Sequence, residues 1–193
     1  MYERYSKKYE KKITIIHPGE FYVSRNDELI GTLLGSCVAV CLHDASSGLA
    51  GMNHFMLPGR ISERDIFQDS SAKYGITAIN ELISHMERAG APIRNLSAKV
   101  FGGGHVLSLE ANSVTIPHDN VRLARVLLEH ADIPIVASDV GENYTRKILM
   151  DVKSGRIYLK KSTRQDVIDF VDGREQTYAQ RLGRPAGKAV AGR

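Results

Sequence analysis

The sequence predicts a fold of mixed α and β class, built from many short strands and two longer helices. Apolar runs of strand length outnumber helical periodicities along the 193 residues, and glycine or proline turns separate them. Strands and helices do not alternate regularly, which disfavours a regular βαβ array. A chain of this length with 42% hydrophobic residues can bury one sizeable core. We therefore expect a single domain over residues 1–161 and a polar, basic, partly disordered tail over residues 162–193.

Four strands are predicted in the first part of the chain. Residues 13–16 and 21–23 are short apolar runs on either side of a proline-glycine turn. Residues 37–43 and 49–56 are longer runs, joined by a polar turn that ends in glycine. The second pair of runs therefore predicts a β-hairpin.

Two helices and the remaining strands follow. Apolar side chains recur at helical spacing over residues 76–86 and 121–128, and Pro117 suits the first turn of the second helix. Further strands are predicted over residues 98–101, 133–140, 146–151 and 156–160.

Composition and charge limit the classes of function. No apolar run approaches the roughly 20 residues that span a bilayer, so we expect no membrane insertion. The net charge of +4 is mild and lies partly at the two ends, which is typical of solvated termini. There is no basic recognition helix and no aromatic platform in the sequence, so we expect no nucleic-acid binding.

The two cysteines indicate a reducing compartment. Cys37 and Cys41 are four residues apart, and in an extended strand their Cα atoms lie about 13 Å apart. That distance exceeds the reach of a disulfide, and free thiols are typical of the cytoplasm. Cys41 lies deeper in its apolar run, and we interpret it as a core residue.

Cys37 and His54 are the candidate catalytic pair. Cys37 follows a Gly-Ser turn at the start of one hairpin strand, and His54 lies in the other strand. If residues 44–47 form the loop, His43 pairs with Gly48, and Cys37 lies directly opposite His54 on the same face. An adjacent imidazolium lowers the pKa of a thiol, and the thiolate can attack an acyl carbon. The alternative is that Cys37 is a buried apolar residue, as strand cysteines commonly are.

Neighbouring residues complete this hypothesis. The backbone N–H groups of Gly35 and Ser36 could stabilise an oxyanion. Thr32 is the favoured third residue to orient His54, with Asn53, Ser36 and distant polar residues as weaker candidates. The spacing of cysteines and histidines matches no zinc motif, so we expect no metal and no cofactor.

These motifs resemble those of the CheD family, the chemoreceptor glutamine deamidases of bacterial and archaeal chemotaxis. The resemblance is carried by LGSCVAV around Cys37, followed 17 residues later by HFMLP beginning at His54. The segments KYG, KVFGGG and DVGENY add to it. It covers roughly residues 13–161, in order.

The resemblance implies an α/β sandwich of mixed β-sheets with flanking helices, similar to toxin deamidases with a Cys–His site. It implies that Cys37 is the nucleophile, His54 the base and Thr32 the third catalytic residue. The implied substrates are glutamine side chains on the cytoplasmic helices of chemoreceptors, and an implied partner is a CheC-type phosphatase.

Two other functions stay open at this point. The protein could be a binding module that docks on a phosphatase or a receptor and regulates it without turnover. It could also be a cysteine peptidase or a transglutaminase-like enzyme, although the sequence has no signature of a long substrate cleft.

Overall fold

The structure is a computed structural model that describes residues 1–57, 72–106 and 116–182. In these ranges the chain forms two five-stranded sheets and three α-helices. The strands are β1 (Tyr2–Ser6), β2 (Lys11–Ile15), β3 (Phe21–Ser24), β4 (Glu28–Leu34), β5 (Val38–Asp44), β6 (Leu49–Asn53), β7 (Leu96–Gly102), β8 (Ile135–Val140), β9 (Thr145–Asp151) and β10 (Ile157–Ser162). The helices are α1 (Ala72–Arg88), α2 (Ile116–His130) and α3 (Gln165–Leu182), and a short 3-10 turn covers Ile93–Asn95.

Both sheets are mixed. The first sheet has the order β1-β2-β4-β9-β10, in which only the β2–β4 pair is parallel among these described strands. The second sheet has the order β3-β6-β5-β7-β8, in which β7 and β8 are parallel and the other described pairs are antiparallel.

The side chains of β5 explain how the layers pack. Ala39 and Cys41 point into an inter-sheet core shared with Ile30 of β4 and Ile148 of β9. The alternate side chains, Val38 among them, face a second core formed with α1 and α2. A strand buried on both faces is typically a continuous apolar run, and residues 38–42 of β5 form such a run. The α/β sandwich with flanking helices is therefore confirmed.

The β5–β6 hairpin forms, but in a register that differs from the predicted one. His43 pairs with Ala50 instead of Gly48. Cys37 is therefore not directly opposite His54, and that prediction is wrong. A slip of two residues nevertheless returns each side chain to its original face, whereas a slip of one would reverse it.

The turn itself explains the shift. The loop consists of residues 45–48, one position later than predicted, because Asp44 remains in the strand. Its carboxylate accepts hydrogen bonds from the backbone and hydroxyl groups of Ser46 and Ser47. Gly48 closes the loop with a φ of 64°, a left-handed conformation that glycine adopts without strain.

β1 and β4 are not predicted from the sequence. β1 is an edge strand whose side chains are mostly exposed, so it has no apolar pattern. β4 lies at the centre of the first sheet but is interrupted by polar and small residues. Gly31 leaves room there for the Leu149 side chain, because a Cβ atom at this position would lie 2.5 Å from it.

The segment that was expected to begin a disordered tail contains α3. Of the 18 residues of this helix, all of them described, Val171 and Glu175 are buried. The helix forms because this narrow stripe packs against the body, which a generally polar composition conceals. Residues 183–193 of the expected tail lie outside the described residues. None of the described helices is long and apolar enough to cross a membrane.

Candidate active site

Residues 35–37 connect β4 to β5, and the structure fixes all their carbonyl groups. In a trans peptide, each carbonyl points away from the N–H group of the following residue. Fixing the carbonyls on one side therefore directs the N–H groups of Ser36 and Cys37 to the other. The carbonyl oxygens of Gly35, Ser36 and Cys37 accept hydrogen bonds from Gly104 N–H (2.7 Å), Asn120 Nδ2 (3.0 Å) and Gly103 N–H (2.8 Å), respectively.

Gly102 allows this close approach. Its φ of 112° lies in the region that favours glycine, and a Cβ atom there would lie 2.1 Å from the Cys37 carbonyl oxygen. The glycine run after β7 is therefore a tight turn that supports the cysteine segment from behind.

The N–H groups of residues 35–37 converge on the carboxylate of Glu175, which belongs to α3. Gly35 and Ser36 donate at 2.8 and 2.9 Å, and Cys37 donates at 3.3 Å. The Ser36 hydroxyl adds a fourth bond at 2.6 Å. Converging backbone N–H groups beside a nucleophile are the arrangement that stabilises an oxyanion in acyl transfer.

The tautomer of His54 follows from its hydrogen bonds. The single hydroxyl hydrogen of Thr32 is donated to the carbonyl oxygen of Ile16 at 2.9 Å. The Thr32 oxygen therefore accepts from Nδ1 of His54, at 2.7 Å. The proton resides on Nδ1, and Nε2 is left as an acceptor. This buried Nε2 has no hydrogen-bond partner among the described residues, so it is available to take a proton.

The backbone of His54 is fixed by the turn that precedes β3. Its N–H donates to the carbonyl oxygen of Glu20 at 2.9 Å, and its own carbonyl accepts from Gly19 N–H at 2.7 Å. Phe55 then pairs with Val38 in an isolated bridge. These bonds hold the imidazole beside the start of β5.

The Sγ atom of Cys37, a ring nitrogen of His54 and a carboxylate oxygen of Glu175 lie within 4.8 Å of one another, and all three residues are buried. Burial raises the pKa of the Cys37 thiol well above its usual value, and the nearby Glu175 carboxylate raises it further. Burial lowers the pKa of His54 to about 3, with smaller contributions from Arg174 and His17. With α3 in place, both the thiol and the imidazole are therefore neutral.

The same atoms are also of the types that bind zinc. However, the carboxylate oxygens of Glu175 already accept hydrogen bonds from the N–H groups of residues 35–37 and from the Ser36 hydroxyl. These donors direct positive charge at the carboxylate and create a site for an anion. The arrangement therefore fits an acyl oxygen better than a cation.

Two of the weaker candidates for the third residue, Asn53 and Ser36, direct their side-chain hydrogen bonds to groups other than the His54 imidazole. Asn53 accepts a hydrogen bond from Val40 N–H at 2.9 Å and donates to the carbonyl of Ala78 at 3.0 Å, on the helix side of the sheet. The Ser36 hydroxyl bonds to Glu175. The predicted residues that the structure brings together are Thr32, Gly35, Ser36, Cys37 and His54.

Two residues at the site were missed from the sequence. Glu175 is 138 residues from Cys37 in a polar segment, and no local motif indicates it. Asn120 is fully buried in the first part of α2, where it bonds Ser36 and accepts from Leu57 N–H at 2.9 Å. A polar side chain on the apolar face of a predicted helix needs a partner, and that was an available signal.

Cys41 is buried, as predicted. Like Cys37, it lies in the inter-sheet core, and burial raises the pKa of its thiol to about 12. Both cysteines are free. Cys41 is thus confirmed as a core residue.

Similar proteins cover nearly the whole chain. A protein named "Probable chemoreceptor glutamine deamidase CheD" from Janthinobacterium sp. (strain Marseille) is 40% identical over 178 residues, which are 92% of this chain and 87% of that protein. A protein of the same name from Herminiimonas arsenicoxydans is 39% identical with the same coverage. Among solved structures, the hypothetical protein YfiH of Bacillus licheniformis aligns with a TM-score of 0.40 and 16% identity, covering 62% of this chain and 49% of that one.

The family described as CheD chemotactic sensory transduction matches residues 56–161, which is more than half of the chain. That match begins just after His54, but a 178-residue alignment to the relatives necessarily includes Cys37 and His54. From the family match and the relatives together, the chain belongs to the CheD family.

Proposed function

We propose that this protein is a chemoreceptor glutamine deamidase, which hydrolyses glutamine side chains on chemoreceptor helices to glutamate. The observation that carries the proposal is the position of Cys37 beside His54, next to converging backbone N–H groups. A thiol, a proton acceptor and oxyanion donors are the minimum required for this acyl chemistry. The names of the relatives supply the chemoreceptor as the substrate.

In the first half of the reaction, Nε2 of His54 takes the proton of the Cys37 thiol. The thiolate attacks the side-chain amide carbon of the substrate glutamine, and a C–S bond forms. The amide oxygen becomes an oxyanion that accepts hydrogen bonds from the N–H groups of residues 35–37. His54 then gives its proton to the amide nitrogen, the C–N bond breaks and ammonia leaves.

In the second half, water hydrolyses the thioester. His54 removes a proton from the water, and the resulting hydroxide attacks the acyl carbon. The C–S bond breaks, glutamate is released and the proton returns to the thiol of Cys37. Thr32 holds the Nδ1–H tautomer throughout, so that Nε2 is the nitrogen that exchanges protons.

The proposal also includes a domain and a compartment. We propose that residues 1–161 form the catalytic domain. We also propose that the protein acts in the cytoplasm, where the receptor helices lie and where two free thiols persist. A CheC-type phosphatase is a proposed partner. The competing function is a binding module that docks on a receptor or phosphatase without turnover.

The test is mass spectrometry of a chemoreceptor cytoplasmic fragment after incubation with the protein. Deamidation adds about one mass unit at specific glutamines. We expect Cys37→Ala and His54→Ala to reduce this reaction at least about 1,000-fold, whereas Cys41→Ala retains it. Deamidation that survives in Cys37→Ala would overturn the proposal. Unmodified receptor, together with binding that survives in Cys37→Ala, would favour the binding module.

The role of Thr32 has a separate test. Thr32→Val removes the acceptor for Nδ1–H with little change in volume, and the loss of one such hydrogen bond corresponds to about a tenfold lower kcat. Thr32→Ser retains the hydroxyl and should recover most of the rate. Equal rates in both variants would show that Thr32 does not position His54.

A further inference from the structure

The carboxylate of Glu175 lies where the reacting group of a substrate would lie. It accepts hydrogen bonds from the N–H groups proposed to stabilise the oxyanion, and one of its oxygens lies within 4.8 Å of the Cys37 Sγ atom and of a ring nitrogen of His54. A glutamate side chain is also the chemical product of glutamine deamidation. Helix α3 thus presents a product-like side chain to the protein's own candidate nucleophile.

We propose that α3 occupies the site that binds the substrate helix, with Glu175 at the position of the deamidated side chain. The inference rests on the proposed deamidase function and names the class of substrate for that site. The substrate is a glutamine on an α-helix that docks side-on against residues 35–37.

The packing of α3 supports this assignment. Val171, Glu175 and Tyr178 are spaced by four and three residues, which places them on one face of the helix. Val171 and Glu175 are buried, and Tyr178 is partly buried against the inter-sheet core. Phe170, on another face, is 56% exposed. The helix is therefore docked by a narrow stripe centred on Glu175. Because Val171 lies four positions before Glu175, a substrate helix would need an apolar residue four positions before its glutamine.

The body of the protein has a surface shaped for a closely packed helix. A Cβ atom on Gly35 would lie 2.9 Å from Val171, and one on Gly19 would lie 2.6 Å from Tyr178. Arg174 of the helix also contacts the imidazole of His17. The two glycines thus leave room for the stripe of α3 where it crosses the turns on either side of the site.

The contact has a consequence for activity. With α3 docked, the oxyanion donors are occupied, and Cys37 has no exposed surface. A receptor helix therefore has to displace α3 before it can react. The fraction of molecules with α3 undocked then scales the observed rate.

The assignment predicts a reaction of the protein with its own α3 helix, which can be detected without a receptor. The substitution Glu175→Gln presents an amide at this position, with Oε1 in place of the oxygen that accepts the Gly35 and Cys37 N–H groups and Nε2, which cannot accept a hydrogen bond, in place of the other oxygen. Cys37 attacks the amide carbon, the C–N bond breaks, and ammonia leaves with a proton from His54. Water then cleaves the C–S bond and leaves glutamate at position 175.

The experiment is intact-mass and peptide analysis of the purified full-length Glu175→Gln variant. We expect a gain of about one mass unit over the encoded mass, located at position 175, or the loss of ammonia if the thioester stalls. Gln165 and Gln176 on the same helix are internal controls that should remain amides. The double variant with Cys37→Ala should keep its encoded mass.

The receptor fragment separates failure of this inference from failure of the proposed function. If position 175 stays an amide while the variant deamidates the receptor, α3 does not occupy the substrate site and the inference is overturned. If neither position 175 nor the receptor is modified, the deamidase function falls, and the inference falls with it.

A second variant measures the competition. Glu175→Ala should increase the rate of receptor deamidation about tenfold, because it weakens docking of α3. Asp169→Ala, on an exposed part of the same helix, is the matched control and should leave the rate unchanged. A decrease in rate for Glu175→Ala would show that Glu175 assists catalysis, and it would overturn the inference.

Discussion

Two buried glutamates in this protein differ in what surrounds them. Glu28, at the start of β4, pairs with the ammonium group of Lys12 at 3.1 Å. Glu175 accepts N–H groups and a hydroxyl, and no cationic side chain in the described ranges pairs with it. The other donors to Glu28 are the hydroxyl groups of Thr14, Tyr22 and Ser24.

The origin of these partners shows what each glutamate does. The partners of the Glu28 carboxylate come from β2 and β3, so the carboxylate connects β4 to strands of both sheets. The hydrogen bonds of Glu175 connect helix α3, in which two residues are buried, to the single loop of residues 35–37. The first carboxylate therefore belongs to the folded body, and the second belongs to an element that can leave it.

The largest expected difference is in the free energy of unfolding. Glu28→Ala leaves three hydroxyl groups without their acceptor and removes one of the two carboxylates that pair with Lys12, and we expect a loss of about 3 kcal/mol. Glu175→Ala should cost only about 1.4 kcal/mol, the free energy that corresponds to a tenfold larger undocked fraction, because undocking α3 returns the N–H groups to water. The measurement is urea denaturation followed by circular dichroism, since the chain has no tryptophan. Equal losses in the two variants would contradict the idea that α3 is displaceable.

A second difference is expected in thiol reactivity. In the wild-type protein, iodoacetamide should label both cysteines slowly, because both are buried and burial raises both thiol pKa values. Glu175→Ala should expose Cys37 and increase its labelling about tenfold, through the larger undocked fraction. Labelling of Cys41 should stay constant.

Glu28→Gln is the control for this labelling experiment, because it alters a buried carboxylate that does not contact α3. Peptide mapping distinguishes the two cysteines. If Cys37 were labelled at the same rate in wild type and Glu175→Ala, α3 would not control access to the thiol.

The same comparison shows what could be predicted from sequence. Thr32, Cys37 and His54 lie within 23 residues of one another. Cys37 and His54 flank the β5–β6 hairpin, which brings them together even when its register is misjudged, and Thr32 lies on β4, shortly before Cys37. The loop was placed one residue early, which moved the pairing by two and left the faces unchanged. Local chain geometry therefore made most of the site predictable.

The contacts that were missed depend on tertiary packing. Glu175 reaches Cys37 across 138 residues, and α3 has too narrow a buried stripe for an amphipathic pattern. β4 contains Glu28, Gly31 and Thr32, each of which contacts residues outside its own strand, and these polar and small residues break the apolar pattern that would have predicted a central strand. Residues selected for a distant partner carry little local signal.

The smallest expected effect is on the dependence of stability on pH. Burial alone would raise the pKa of Glu28, but hydrogen bonds from Ser24, Lys12 and Thr14 hold it below the ordinary value of 4.5. A lowered folded-state pKa means that the carboxylate stabilises the fold above pH 4.5, and that this contribution is lost as the pH falls through the lower folded-state value. Glu28→Gln cannot titrate, so its unfolding free energy should fall less steeply than that of wild type as the solution is acidified below pH 4.5. Urea denaturation at a series of acidic pH values measures both slopes. Parallel slopes would mean that Glu28 has the same proton affinity in the folded and unfolded chains, and the contrast with Glu175 would then rest on position alone.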